Sequence, residues 1–215
     1  MSDAAFVVLE GGDGVGTTTH TKRLFDSLRR SGRAVHATRE PSDGPIGVQI
    51  RQILSGRLVV PGPTRPRAPD WRTMALLFAA DRMDHNDATI LPQCGAGTVV
   101  LSDRYYHSSV AYQSITGGGA QATVDWVKEI NRHARRPDLT LVLDVPDEVS
   151  ERRRIERRGG RELYDDRGLQ SQLAAFYRSM GAHFPGERIV WIDAHRPVEE
   201  VAREILEETL RVVGA

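Results

Sequence analysis

Residues 5–20, AFVVLEGGDGVGTTTH, decide how the rest of the chain reads. An apolar run at 5–9 leads into a glycine-rich turn, and helical periodicity follows over 17–31. Residues 11–18 fit the pattern G-x-x-x-x-G-K-[ST] at every fixed position but one, in the strand–turn–helix context that the pattern requires. Glycines permit positive φ and let successive backbone N–H groups converge on a phosphate. The helix behind them adds the partial positive charge of its N-terminus. Gly11, Gly14, Gly16, Thr17, Thr18 and Thr19 are therefore candidates for binding nucleotide phosphates. The Thr18 hydroxyl stands where it would ligate a nucleotide-bound Mg²⁺.

Thr17 is the exception. A lysine at this point of the pattern is a mobile charge that follows the transferring phosphoryl group. By analogy with deleting one transition-state donor, its loss is expected to cost roughly 10²–10³ in rate while the backbone cradle survives. Lys22 lies about 140° around the helix from Thr17 and ~7.5 Å along it. It is read as facing away, so arginines from elsewhere are the better replacements.

Outward from the loop, further apolar runs at 34–38, 98–102, 139–145 and 189–192 read as strands covered on both faces. Alternation with helical patterns at 71–91, 124–135 and 198–212 predicts a parallel sheet in a three-layer α/β fold. Pro92 is expected to stop the first of these helices, and the proline-rich segment 57–70 reads as a surface loop. The 215 residues suit one domain, with no repeat or linker to divide them. A formal net charge of +0 gives no bulk attraction to nucleic acid or anionic lipid. The single cysteine, Cys94, has no metal-ligand spacing around it. The sequence shows no signal-peptide pattern and no run of ~18 apolar residues, so a cytoplasmic protein without nucleic-acid or membrane partners is expected.

Three polar segments fall at expected strand ends, where ligands collect in such sheets. They are Thr38-Arg39-Glu40-Pro41, Leu77-Phe78-Ala79-Ala80-Asp81-Arg82, and Asp103-Arg104-Tyr105 with Ser108, Ala111, Tyr112 and Gln113. Together with Glu10-Gly11-Gly12-Asp13 and the run from Pro137 to Asp144 (PDLTLVLD), they resemble the thymidylate kinase family over almost the whole chain. Thr17 and Ser42, where the family has lysine and glycine, are the departures. The resemblance implies a P-loop fold with a five-stranded parallel sheet, ATP as donor, dTMP as acceptor, Mg²⁺, and a homodimer.

The resemblance also implies residue roles. Phe78 would stack on the pyrimidine and Arg82 would donate to a base carbonyl. Arg39 and Arg104 would bind the acceptor phosphate, while Ser108, Tyr112 and Gln113 would line the base and sugar pocket. Asp13 would meet the acceptor sugar, and Asp103 would stand near the metal with Thr18. Ala194, after the last strand, would lie by the adenine. The arginine-rich stretch ERRRIERRGGR, within a lid at about 150–166, would close over the phosphates. Gly14 holds the place where some members carry a P-loop arginine, so the resemblance is to the type with catalytic lid arginines, with Arg153 and Arg157 as first choices. Two other readings stand beside dTMP kinase at this stage: a catalytically impaired nucleotide-binding homologue with a regulatory role, and a kinase for another pyrimidine monophosphate such as dUMP.

Overall fold

The computed structural model describes residues 4–156, 163, 164 and 166–213. Five parallel strands form one sheet in the order β2-β3-β1-β4-β5. They are β1 (Phe6–Glu10), β2 (Val35–Arg39), β3 (Val99–Asp103), β4 (Leu139–Asp144) and β5 (Ile189–Asp193). Each apolar run therefore became a strand within a residue or two of its expected bounds. Along β1 the pleat sends Phe6 and Val8 to one face and Val7 and Leu9 to the other, and all four are fully buried. Burial of a single such side chain contributes about 1.5–3 kcal/mol. The edge strands β2 and β5 are only partly buried, because each has one neighbour and less helix above it.

One face carries α1 (Thr17–Arg30) and α10 (Val198–Val213), whose Leu24, Leu28, Val201 and Ile205 pack on Val7, Leu9 and Leu141. The other face carries α3 (Trp71–His85), α5 (Tyr106–Thr116), α6 (Gln121–Ile130) and α8 (Arg167–Arg178). Shorter helices α2 (Pro45–Leu54), α4 (Leu91–Gly95), α7 (Asp147–Glu156) and α9 (Met180–His183) complete the described chain.

Pro92 does not end the helix before it. From α3 the chain passes into a π-helical turn, Asn86–Ile90, and on into α4. The Leu91 N–H bonds back to the Asn86 carbonyl, five residues away. Pro92 then falls in the first turn of α4, where no N–H is needed. The proline-rich loop contains one short antiparallel bridge, with Val60 and Arg67 exchanging backbone hydrogen bonds of 2.8 and 3.0 Å.

Candidate active site

The glycine-rich loop leaves the central strand β1 at its carboxyl end. Gly11, Gly14 and Gly16 have φ of 150°, 89° and 106°. At Gly14 a Cβ would stand 2.6 Å from the Ser150 carbonyl oxygen of α7, so the loop and α7 interlock with no room for a side chain. Gly16 caps α1, and the buried Thr17 opens it, its carbonyl accepting from Thr21 Oγ1 at 2.9 Å. Behind Gly16 lies His20, whose pKa burial lowers, with Arg23 and Arg153 adding to the effect. Thr18 and Thr19 stay exposed.

Thr18 Oγ1 donates to Asp103 Oδ2 at 2.5 Å, which joins the loop to the end of β3. The second carboxylate oxygen of Asp103 is buried and has no hydrogen bond among the described residues. A hydroxyl and an unspent carboxylate oxygen beside a phosphate loop are hard oxygen donors that suit Mg²⁺. The described residues contain no cluster of several His, Cys, Asp or Glu that could hold a metal unaided. Phosphates and water would have to complete any coordination at Thr18 and Asp103, which is the usual state of Mg²⁺ at a nucleotide.

From α7, Arg153 Nη1 donates to the Val15 carbonyl at 3.3 Å, and Arg154 Nη1 donates to the Asp13 carbonyl at 3.0 Å. Both cations thus brace the loop backbone. Arg157 lies outside the described residues, as does much of the expected lid. Arg154 was passed over in favour of its neighbours, yet its place one turn after Ser150, whose carbonyl touches Gly14, points it at the loop.

A cavity of about 190 Å³ opens beside the loop, with Phe78, Arg82, Arg104, Tyr112 and Gln113 among its lining. Phe78 packs with Ile50, Ile53 and Met74, so α2 and α3 fix one wall. Arg104 stands at the junction with the phosphate loop and has a positive φ of 72°. Its guanidinium donates to the Gly11 carbonyl at 2.9 Å, Ser108 Oγ at 3.1 Å and Asp13 Oδ1 at 2.6 Å. Burial works against its charge, but Tyr112, Asp13, Tyr177 and Glu10 around it hold its pKa well above the ordinary arginine value. The other Asp13 oxygen accepts from Gln170 Nε2 at 2.9 Å. Burial likewise pushes the Tyr112 phenol up, and the Asp13 carboxylate adds to it against the pull of Arg104, so Tyr112 stays neutral.

Arg82 is 1% exposed and largely engaged within the protein. Its Nε and Nη2 donate to Glu40 Oε2 at 2.8 and 2.5 Å, Nη2 also donates to Ser109 Oγ at 3.0 Å, and Nη1 bonds Asn131. Little of its fork is left for a base. Gln113 Nε2 donates to the Tyr164 hydroxyl at 3.3 Å, and its Oε1 has no partner among the described residues. Arg39 does not line this cavity. It sits in the next cleft with Thr18 and Asp103, tied to Asp43 at 2.8 Å. Ala194 is buried after β5, its N–H donating to the Asp144 carbonyl at 2.8 Å.

Several residues here were not foreseen. Glu10 is fully buried and accepts from Tyr105 N at 2.8 Å, Ser108 N at 3.2 Å and Ser108 Oγ at 2.7 Å, which ties β1 to the start of α5. A charged residue ending an apolar strand was the available signal. Tyr177 bonds Arg104, Ser108 and Glu10 through its hydroxyl, and Tyr164 meets the Tyr112 ring at 5.1 Å. Neither stood in a recognisable motif.

The family model described as Thymidylate kinase matches residues 9–205. The chain belongs to the thymidylate kinase family. It is 40% identical over 210 residues to a probable thymidylate kinase of Pyrobaculum aerophilum, covering 97% of this chain and 98% of that one. It is 37% identical over 219 residues to the thymidylate kinase of Clavibacter michiganensis, covering 98% and 96%. A thymidylate kinase of Leifsonia xyli is 40% identical over 208 residues, covering 93% and 91%. The span matched by the thymidylate kinase model takes in the phosphate loop and the residues that line the cavity.

Proposed function

We propose that this kinase transfers the γ-phosphate of ATP to dTMP, giving dTDP and ADP. The observation that carries this reading is the adjoining placement of the two halves. The phosphate loop and the Phe78–Tyr112 cavity meet at Arg104 and Asp13, so a nucleotide on one side faces a monophosphate on the other. A phosphate oxygen of dTMP attacks the γ-phosphorus, the bond to the bridging oxygen breaks, and ADP leaves. No covalent intermediate with the protein is needed, because positioning and charge neutralisation carry such a transfer.

The residue roles follow from that arrangement. Phe78 supplies an aromatic face for the pyrimidine, and the amide of Gln113 hydrogen-bonds its edge. Tyr112 and Ser108 bound the sugar side. Arg104, held cationic by its surroundings, and Arg39 bind the acceptor phosphate. Arg82 acts mainly through Glu40 and Ser109, keeping the cavity wall in shape. Backbone N–H groups of the loop hold the donor phosphates, with Arg153 and Arg154 fixing the loop from α7. Thr18 and Asp103 would hold Mg²⁺, which when bound neutralises charge on the phosphate oxygens. Ala194 marks the adenine side.

Coupled ADP release, assayed with dTMP, dUMP and the other monophosphates, tests the reading. Fast turnover with dTMP over the rest is expected, and release with none of them would end it. No described helix is long and apolar enough to cross a membrane. A cytoplasmic homodimer completes the proposal, and light scattering of the purified chain checks the dimer.

A further inference from the structure

A second opening, of about 290 Å³, runs between α1 and the end of β2, with Thr18, Lys22, Arg39, Asp43 and Asp103 in its walls. It starts at the Thr18–Asp103 hydrogen bond, beside the donor phosphates, and ends at Arg39, on the acceptor side. Two cations share it, in unlike states. Arg39 is already paired with Asp43, and that bond holds the Asp43 carboxyl below the usual carboxylate range. Lys22 is exposed and makes no hydrogen bond or ion pair among the described residues, although Asp26 stands one turn further along α1.

Measured from Thr17, Lys22 is on another face. Thr17 is buried, however, and the face open to the cleft is that of Thr18, four residues before Lys22 and on its side of the helix. Helical side chains lean towards the N-terminus, which for α1 is the phosphate loop. Four residues are about 6 Å of rise, and the four-carbon stem of lysine spans it. Arg153 and Arg154 come to the loop from α7 and bond its carbonyls, which leaves Lys22 as the uncommitted cation on the Thr18 side among the described residues.

We propose that Lys22 supplies the phosphate-directed charge that the loop lacks at position 17, contacting the transferring phosphoryl group from the Thr18–Asp103 side. This rests on the kinase reading above, so the experiment has one arm that depends on turnover and one that does not. Lys22→Gln is expected to lower kcat for dTMP phosphorylation about 10-fold or more, with Lys22→Arg retaining most of it. Thr17→Lys alone is expected to leave kcat flat or reduced, because a second cation enters the same space. The combined Thr17→Lys/Lys22→Gln variant should recover most of the loss, which a merely structural lysine would not allow. A Lys22→Gln enzyme within two-fold of the parent, or a loss that Thr17→Lys fails to recover, overturns the assignment. Calorimetry with ATP and AMP forms the second arm. Lys22→Gln should weaken ATP binding several-fold and leave AMP unchanged, and equal ATP affinity overturns the proposal. If the parent chain phosphorylates no monophosphate, the kinase reading falls, and the ATP–AMP comparison still decides whether Lys22 meets phosphate.

Discussion

Phe78 and Asp103 separate the two halves of the site at the level of single residues. Phe78 belongs to the cavity wall built by α2 and α3. A base–aromatic stack is worth roughly 1–3 kcal/mol. Phe78→Ala should therefore weaken dTMP binding about 10-fold while ATP binding holds, and calorimetry showing equal losses would remove Phe78 from the acceptor site. Asp103 has one oxygen on Thr18 and one unspent. Asp103→Asn should reduce the gain in ATP affinity that added Mg²⁺ brings, measured by titration with and without a chelator, and an unchanged gain would count against Asp103 as a ligand. The motifs made both residues legible in the sequence. Lys22 projects away from Thr17, in line with its spacing, and shares the cleft with Thr18, a neighbour that the spacing from Thr17 does not bring out. Arg82 lines the cavity that its motif pointed to, but nothing in the motif signals that Glu40, Ser109 and Asn131 close around it.

Two elements carry the site, and each is held by groups remote in sequence. The turn between β2 and α2 is pinned by Asp81 of α3, whose carboxylate accepts from Ser42 N at 2.7 Å and Ser42 Oγ at 2.6 Å. Arg51 of α2 adds a bond to the Pro41 carbonyl at 2.6 Å. Ser42, where the family has glycine, thus contributes a second hydrogen bond to a fully buried carboxylate. Removing a buried partner costs the desolvation of what remains, about 1–3 kcal/mol. Asp81→Ala should lower the melting temperature and speed hydrogen exchange at residues 42–47, and unchanged exchange there would refute the pinning. On the donor side, Arg154→Ala should cut turnover by 10-fold or more while dTMP affinity survives, since its bond to the Asp13 carbonyl holds the loop. Wild-type rates would show that α7 does not brace it. Four of the strands were readable as mostly apolar runs, and β2 from Val35 and Ala37 between polar residues. Helix α5 was not, because Ser108, Ser109 and Gln113 break its apolar period, whereas α2 and α8 keep an apolar face over only 10 and 12 residues.

For the whole molecule, one buried and three half-buried groups titrate with one sign. His20, His36 and His183 all have pKa values below the ordinary 6.5, burial being the first cause in each. Glu187 lies below its ordinary 4.5, because bonds from His107 and Tyr106 outweigh its burial. In every case the unfolded chain binds protons before the folded one does. Their contribution to stability is complete above pH 6.5 for the histidines and above 4.5 for Glu187, and it is lost as pH falls through the folded values. The melting temperature should fall as pH drops below 6.5, with His20→Gln flattening the first part of the decline. A melting temperature flat from pH 7 to 5 would contradict that sign.

The contact between Gly14 and α7 also limits how this enzyme can change over generations. A Cβ at Gly14 would strike the Ser150 carbonyl at 2.6 Å, and its φ of 89° already disfavours any other residue. Every single-step replacement of that glycine starts with a steric penalty before a new side chain can contribute anything. A descendant with arginine at position 14 would need α7 to retreat first, and the retreat would give up the Arg153 and Arg154 contacts. The loop is therefore held to glycine at position 14, while drift meets no such barrier at Gly12, where an added Cβ would have nothing within 4 Å of it.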